Sequence, residues 1–498
     1  MNGFVAPQEN GCVGEQRGVR GMKQQERVIV VGGGIGGLAA ALRLAEYGQQ
    51  VTLLERRSLL GGRASSFPIR GERSGTTPGT APDDLVDNCQ HVLMRCCVNL
   101  LDFYNRIGAA DAVKFSSQFS FVDTAGQWSS LEASPWLPAP FHLIPSLLRF
   151  RSMSVMDKLS IAYGMARLMI LQPRDLQSYE STFGEWLKQS RQTRGAIECF
   201  WRPVIVSALN EEPERTAAPY GFQLFREAFL RNRRAYEMGL PTKGLAHIYS
   251  EAGMNALRRK QVDVRMEERV ERICVEQGKA AGVVAGGRFR PSSTVVSAVP
   301  QHVLPGLLDP QSLALAPFCH LGRFDTSPIT GVHLWFDVPV ADTPHAALLG
   351  REMQWIFVKD GHGDCPEGSC VGLVVSASRS LTGRPKAEIV ALALKAVHDV
   401  FPRSRKARLV RDVVIREPNA TFSPAPGIEK FRPHSRTAIE GLYVAGDWIR
   451  TGWPATMEGA VRGGYLAAEA VLQDAGQSVR LLAEEMPADW MPKRMGLG

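Results

Sequence analysis

The chain has 498 residues, which is enough material for about three domains of ordinary size and for a core that encloses a ligand. Apolar residues make up 44% and charged residues 22%, so a disordered or fibrous chain is excluded, and no apolar run is long enough to predict a membrane-spanning helix. The formal net charge of +8 is modest, and without any basic–aromatic module it indicates a solvated surface and no nucleic-acid partner.

The cysteines and the amino terminus indicate a cytoplasmic protein. The 9 cysteines are scattered and lack the paired spacing of a zinc site, which predicts reduced thiols and no metal centre. Residues 1–26 are polar and glycine-rich and have no apolar stretch of the kind found in a secretory signal. They are predicted to form a disordered tail.

A strand, a glycine turn and a helix follow this tail. Their order is a β-branched strand at 27–31, a turn at 32–37, an alanine- and leucine-rich helix at 38–47 and a second strand at 50–54. The turn fits the pattern G-x-G-x-x-G. Its position between a strand and a helix favours a dinucleotide-binding unit over a glycine turn without a ligand.

Each residue of this pattern has a physical role in holding a dinucleotide. Gly32 permits the tight turn, Gly34 lets the backbone approach a pyrophosphate, and Gly37 lets the helix pack closely on the strand. The amino terminus of the helix would face the phosphate charge. Glu55, directly after the second strand, would accept hydrogen bonds from a ribose.

The residues after Glu55 indicate which dinucleotide is bound. Arg56 precedes the run Gly61-Gly62-Arg63-Ala64-Ser65-Ser66, which resembles the G-G-R-x-x-S/T element of the flavin amine oxidase and carotenoid desaturase superfamily. The resemblance implies FAD as the cofactor, with Arg56, Gly62 and Arg63 gripping its pyrophosphate a second time. It also implies an α/β fold: a Rossmann-like FAD-binding domain of the amine oxidase type with an interleaved α+β substrate domain.

A second predicted flavin segment lies near the carboxyl terminus. A strand at 441–447 ends in Gly446-Asp447, and a helix of small residues is predicted at 460–472. Asp447 would bind the ribityl or phosphate region, and the helix start beyond Met457 would point at the flavin, where negative charge collects on reduction. The two ends of the chain must then share one domain.

The segment 264–274 is predicted to contribute backbone near Val270 that borders the adenine, although a plain surface strand explains it equally well. The predicted FAD-binding domain therefore combines three stretches, 27–108, 221–300 and 416–475. Residues 109–220 and 301–415 are predicted to form the substrate domain, and 476–498 a C-terminal tail.

Further motifs narrow the resemblance. They include Asp87-Asn-Cys-Gln-His91, predicted to open a helix that runs to Gly108, and the pairing of Gly446-Asp-Trp448 with Gly452-Trp-Pro-Ala-Thr-Met-Glu-Gly-Ala460. Over 28–472 the chain resembles the hydroxysqualene dehydroxylases, squalene-associated flavoproteins of bacterial hopanoid synthesis. This resemblance implies that reduced flavin converts hydroxysqualene into squalene and water. Cys89 departs from the pattern, because the family has glycine there.

The resemblance also implies which residues surround the reaction. His91, Asp87 and Glu458 are the candidate catalytic acids, with His91 favoured as proton donor. The alternative for His91 is a hydrogen bond that shapes its turn, and the alternative for the two carboxylates is capping or ion pairing near helix starts. The predicted substrate contacts are aromatic: Trp201, Trp335, Trp355 and Trp453.

An apolar, aromatic and proline-broken stretch at 134–173 lies within the predicted substrate domain, punctuated by basic residues. It is interpreted as a peripheral anchor at the inner face of the cytoplasmic membrane, through which an isoprenoid lipid enters. The alternative is a set of amphipathic helices covering the substrate pocket. Only one dinucleotide fingerprint is found, so an external electron donor or reductase is expected.

Two other functions share these features. An oxidative carotenoid desaturase or amine oxidase would have the same FAD motifs and the opposite electron flow, and an amine oxidase would place an aromatic cage around its substrate. A prenyl-lipid binding protein of related fold would have no working flavin site. The complete set of glycine and acidic residues argues against this last function.

Overall fold

The computed structural model describes residues 27–68, 85–171, 180–362 and 365–497, so the predicted tail at 1–26 lies outside the described residues. The strands are β1 (Val28–Val31), β2 (Val51–Leu54), β3 (Ser66–Pro68), β4 (Leu85–Asp87), β5 (Leu93–Met94), β6 (Val113–Ser116), β7 (Gln118–Val122), β8 (Trp128–Glu132), β9 (Met238–Pro241), β10 (Asp263–Arg265), β11 (Val270–Glu276), β12 (Lys279–Ala285), β13 (Arg288–Pro291), β14 (Thr294–Ser297), β15 (Thr326–Phe336), β16 (His345–Leu348), β17 (Trp355–His362), β18 (Cys365–Ser376), β19 (Leu409–Phe422) and β20 (Leu442–Val444).

The helices are α1 (Ile35–Glu46), α2 (Val98–Ile107), α3 (Ile144–Arg149), α4 (Val155–Met169), α5 (Phe183–Gln189), α6 (Arg194–Ala196), α7 (Arg202–Leu209), α8 (Ala218–Phe225), α9 (Gly253–Arg259), α10 (Pro310–Leu313), α11 (Lys386–Val400), α12 (Met457–Asp474) and α13 (Trp490–Arg494).

A parallel five-stranded sheet organises the nucleotide-binding half of the molecule. Its order is β10-β2-β1-β14-β20, so strands from the beginning, middle and end of the chain lie side by side. All four residues of β1 are buried, as are those of β2, which is expected for parallel strands covered on both faces. Strands from near both ends of the chain thus lie in one sheet, which agrees with the predicted shared domain.

Helices α1 and α12 cross at glycines. A Cβ on Gly464 would lie 2.3 Å from the carbonyl oxygen of Gly36, and one on Gly463 would lie 2.2 Å from that of Gly446. Only glycine permits such a close approach of backbones. The crossing therefore fixes the start of α12 against the glycine turn that precedes α1.

A mixed seven-stranded sheet, ordered β19-β15-β18-β17-β16-β7-β8, forms the second half. Helix α11 packs on it around a separate apolar cluster that includes Leu334, Ile356 and Val397. Two predicted domain boundaries fall inside elements: the one at 220 lies within α8 and the one at 415 lies within β19. The long strand β19 continues from the second sheet to the nucleotide-binding half, which a division by sequence motifs does not anticipate.

Two predicted elements are wrong in their bounds. The segment at 87–97 contains β4, a turn and β5, and the helix predicted there starts only at Val98. Residues 476–497 form an ordered segment rather than a free tail, since Leu481 is buried and the backbone N–H of Ala483 donates to Asn99.

No helix among the described residues is long and apolar enough to cross a membrane. Six cysteines with described side chains form no disulfide bond: Cys89, Cys96, Cys97, Cys199, Cys274 and Cys319.

Candidate active site

The glycine turn after β1 has the geometry of a pyrophosphate cradle. Gly32 has φ of +102°, and a Cβ on Gly37 would lie 1.9 Å from the carbonyl oxygen of Gly32. Gly34 is the N-cap of α1 and leaves the helix amino terminus open toward the cavity. Gly32 and Gly37 thus have the predicted conformational roles, and the helix dipole and backbone N–H groups together favour an anion at this point.

Glu55 is held in position beside the turn. One carboxylate oxygen accepts a hydrogen bond of 2.7 Å from the backbone N–H of Gly33, and the other accepts one of 2.8 Å from that of Arg57. The side chain lies at the end of β2 and lines the cavity, where a ribose would meet it.

A second glycine segment touches the first. Gly62 has φ of +64°, and a Cβ there would lie 2.9 Å from the Cα of Gly34, so position 62 does not accommodate a larger residue. Arg63 forms an ion pair of 2.6 Å with Asp447 and also donates to the carbonyl of Ala420. This ion pair joins the first and last flavin segments.

The remaining predicted cofactor residues also line the cavity. Arg56, Val270 at the start of β11, Gly446 and Met457 at the start of α12 all belong to its wall. The hydroxyl oxygen of Thr456 caps α12 by accepting a hydrogen bond from the N–H of Gly459. The helix predicted at 460–472 therefore begins three residues earlier, at Met457.

The cavity that starts at the glycine turn continues into an apolar chamber. The whole cavity, including the part at the glycine turn, has a volume of about 720 Å³. The chamber wall is formed mainly by aliphatic and aromatic side chains, among them Leu93, Leu100, Phe119, Phe121, Leu131, Val204, Leu209, Phe229, Met238, Trp355, Phe357 and Val374. The dinucleotide cradle and the apolar chamber thus form one continuous cavity.

His91 stands where the cradle and the chamber meet. Its ring Nδ1 lies 3.3 Å from the carbonyl oxygen of Cys89; since a carbonyl only accepts, Nδ1 carries the proton of this hydrogen bond. Burial lowers the pKa of His91, so the neutral ring is favoured, with Nε2 unprotonated. Cys89 has φ of +64°, the left-handed conformation that suits the glycine of the resembled family.

The two candidate carboxylates have structural partners. Asp87 accepts hydrogen bonds from the Ser66 hydroxyl at 2.6 Å and from the Leu245 N–H at 2.9 Å, and it lies outside the cavity wall. These contacts agree with the structural alternative for Asp87, because one carboxylate oxygen holds both a side-chain hydroxyl and a backbone N–H. Glu458 is fully buried in the wall, and burial raises its pKa to about 7.

Glu458, which belongs to α12, caps the amino terminus of helix α2. Its carboxylate accepts from the backbone N–H of Leu100 at 2.7 Å and from the side-chain amide of Asn99 at 2.8 Å. Arg462 lies 3.7 Å away on the next turn of α12. These contacts agree with the capping alternative and leave no free oxygen positioned as a proton donor.

The four predicted substrate tryptophans separate into two pairs. Trp355 and Trp453 line the chamber, and the Trp355 indole donates to the Ser207 hydroxyl at 2.6 Å. Trp201 is wrong, because it is fully buried in an aromatic core and donates to Gln192. Trp335 is also wrong, because it packs on the second sheet in a small cluster with Val86 and Ile415, away from the chamber.

Several wall residues have no counterpart in the sequence predictions. Glu227 lines the chamber, forms an ion pair of 2.7 Å with Arg231, and has its pKa raised by burial. The apolar alternation of β7, with Phe119 and Phe121 on one face, was the available signal for that part of the wall. No sequence signal identifies Glu227 as a wall residue, since a glutamate four residues before an arginine is also typical of a solvent-exposed helix.

Comparison with known proteins identifies the class. The family model of flavin containing amine oxidoreductases matches residues 35–472. The chain belongs to this family, and it is a flavin-dependent oxidoreductase. The dinucleotide cradle fits the predicted cofactor, FAD.

Particular relatives are carotenoid desaturases. The chain is 26% identical to the 15-cis-phytoene desaturase of an Oncidium hybrid cultivar, over 94% of this chain and 81% of that protein. It is 24% identical to the 15-cis-phytoene desaturase of Synechococcus elongatus, over 90% of this chain and 96% of that protein.

Solved structures share the fold at low sequence identity. An oxidoreductase from Methanosarcina mazei aligns with a TM-score of 0.67 and 18% identity, covering 90% of this chain and all of that one. Cyclohexylamine oxidase from Brevibacterium oxydans aligns with a TM-score of 0.63 and 18% identity, covering 91% of this chain and all of that one. The predicted Rossmann-like α/β fold is confirmed.

Proposed function

We propose that this chain uses reduced FAD to remove the hydroxyl group of hydroxysqualene, an allylic C30 isoprenoid alcohol, and releases squalene and water. The observation that supports the proposal is the single cavity in which the FAD cradle opens directly into an apolar chamber. A long hydrocarbon without charge fits such a wall, because most of its side chains are aliphatic or aromatic.

The chain's own residues would perform three tasks in this reaction. The cradle of Gly34, Gly62 and Arg63 holds the dinucleotide, and the apolar wall excludes water from the allylic cation that forms when the hydroxyl leaves as water. FAD in its reduced form supplies the hydride. A protonated His91 at the junction would deliver the proton that the leaving hydroxyl needs.

The carotenoid desaturase relatives favour a second candidate, an oxidative desaturase, in which a polyene held in the same cavity would lose a hydride to oxidised FAD and a proton to a base. The two candidates differ in the direction of electron flow. Oxidised protein with phytoene and a quinone acceptor gives a conjugated product only if the chain is a desaturase.

Product analysis distinguishes them. Anaerobic protein reduced with dithionite and supplied with detergent-dispersed hydroxysqualene is expected to form squalene, detected by gas chromatography–mass spectrometry. Oxidised protein with phytoene is expected to form nothing. A coloured polyene from the second reaction together with no squalene from the first would replace our proposal with the desaturase.

The proposal includes an external reductant. Since the sequence contains one convincing dinucleotide fingerprint, a separate reductase or electron carrier would reduce the flavin. Purified protein with NADPH and FAD alone is expected to give no steady turnover. Sustained squalene formation under these conditions would show that the chain accepts hydride from a nicotinamide itself.

A further inference from the structure

Exposed apolar side chains are concentrated in one part of the molecule. Of the 16 large apolar side chains that are exposed among the described residues, nine belong to residues 136–170 and two to residues 490–495. Exposed apolar residues scattered singly need no explanation, but a cluster of this kind marks a surface that meets another apolar phase.

The helix α4 shows how the cluster is organised. Its exposed apolar residues Val155, Met156, Leu159 and Tyr163, with Ile170 at its end, recur at helical spacing and form one stripe. The opposite face is buried through Ile161 and Leu168. The helix is thus packed on one side and presents a second apolar face outward.

The C-terminal helix α13 is fastened to the same region. One carboxylate oxygen of Asp489 accepts hydrogen bonds from the backbone N–H of Ala139 at 3.3 Å and of Arg233 at 3.1 Å. The guanidinium of Arg233 donates in turn to the carbonyl of Pro135 at 3.1 Å. These bonds hold Trp136, which is 89% exposed, and Trp490, which is 57% exposed, on segments joined to each other.

The charges around this cluster are mostly basic. Residues 134–171 contain four basic side chains and one acid: Arg149, Arg151, Lys158, Arg167 and Asp157. The acid is engaged by hydrogen bonds from Ser154 and Thr193. Helix α13 adds Lys493 and Arg494. Tryptophan rings bordered by basic groups complement an anionic phospholipid interface, whereas a second copy would bring like charges together.

The cluster also lies next to the chamber. The hydroxyl of Ser146 on α3 donates to the carbonyl of Ser130 at 2.9 Å and accepts from the N–H of Glu132 at 2.9 Å, which fixes α3 on β8. Leu131, between these two residues, lines the chamber. One strand therefore separates the apolar surface from the apolar cavity.

We propose that residues 136–170 and helix α13 form one docking surface for an anionic phospholipid bilayer, with Trp136 and Trp490 as its two interfacial anchors. The proposal rests on the proposed function, because a water-insoluble substrate must pass from a bilayer into the chamber. It adds the C-terminal helix to the anchor, which the sequence placed in a free tail.

Vesicle binding tests the surface. Holoprotein is mixed with vesicles of phosphatidylglycerol and phosphatidylcholine, or of phosphatidylcholine alone, and the bound fraction is measured by sedimentation. The wild type is expected to bind the anionic vesicles, less strongly at high salt, and the Trp136→Ala, Trp490→Ala double variant to bind at least about tenfold more weakly. Phe289→Ala is the matched control, since Phe289 is 53% exposed on β13 outside the surface.

Three results would overturn the proposal: wild type that stays in solution with anionic vesicles, a double variant that binds like Phe289→Ala, or a dimer by light scattering that the double variant dissociates. Activity separates this proposal from the catalytic one. The double variant is expected to keep wild-type turnover of detergent-dispersed substrate and to lose turnover of vesicle-embedded substrate. If the wild type binds vesicles but is inactive in detergent, the docking surface stands and the proposed reaction fails.

Discussion

At the scale of single residues, His91 determines the pH dependence of the proposed reaction. Because its pKa is lowered below the ordinary value, the neutral ring dominates near pH 7, and only the protonated ring can donate from Nε2. We expect single-turnover squalene formation to accelerate as the pH falls below about 6.5. His91→Gln is expected to slow the reaction by about 100-fold or more and to flatten this profile.

His302 provides the matched control for this experiment. It also lines the cavity and its pKa is also lowered by burial, but it lies among the phosphate-side groups Arg56, Arg63 and Asp447. His302→Gln is expected to keep the rise at acidic pH. If the rate increase at acidic pH persists in His91→Gln and is lost in His302→Gln, His302 would be the proton donor.

Glu458 makes a different contribution, to stability. Its folded pKa of about 7 exceeds the ordinary value of 4.5, so the folded state binds more protons than the unfolded state between these two pH values. The stability of the wild type should therefore fall, relative to Glu458→Gln, by about 3 kcal/mol between pH 4.5 and pH 7. Urea unfolding of both proteins across this range measures the difference, and parallel curves would contradict the raised pKa.

At the scale of elements, the contact of α1 with α12 positions the whole flavin cradle. Gly464→Ala would force a Cβ to within 2.3 Å of the Gly36 carbonyl, so the two helices must separate. We expect a loss of at least about 2 kcal/mol in stability together with weaker FAD retention, measured by thermal unfolding and by flavin fluorescence.

Gly322→Ala is the control for this substitution. A Cβ at Gly322 meets nothing within 4 Å, and its φ does not require glycine. It is expected to change stability by less than about 0.5 kcal/mol. Equal behaviour of the two variants would show that the helix crossing tolerates a side chain.

The elements that the sequence predicts well are those set by local patterns. The strand, glycine turn and helix at 28–46 follow from β-branched residues, a turn with Gly32 at positive φ, and helix formers in succession. The segment at 87–97 does not, since β4 and β5 are only three and two residues long and owe their conformation to pairing with β3 and β9. Helix α13 was missed because its five residues depend on docking through Asp489.

Site residues follow the same division. The predicted cofactor positions lie in contiguous motifs and most of them line the cavity, whereas Trp201 and Trp335 could not be told apart from chamber residues by sequence. Aromatic side chains have the same pattern in a core and in a ligand wall, and only packing separates them. Glu227 and Phe119 lie far apart in the chain, and only tertiary folding brings both into the chamber wall.

At the scale of the whole molecule, the two ends of the chain are joined by the Arg63–Asp447 ion pair, 384 residues apart in sequence. We expect Arg63→Ala to weaken FAD binding about 10- to 100-fold, as for loss of a charge-assisted hydrogen bond. A double-mutant cycle with Asp447→Asn, using FAD titration by fluorescence, should show strong coupling. Additive losses would mean that the two residues bind FAD independently.

Electron transfer from the reduced flavin to a lipid alcohol can be followed in one anaerobic single-turnover experiment. Photoreduced holoprotein is mixed with hydroxysqualene while flavin absorbance and squalene are followed together. We expect the flavin to be reoxidised with one squalene formed for each flavin. Flavin that remains reduced, or that reoxidises without squalene, would contradict the proposed function.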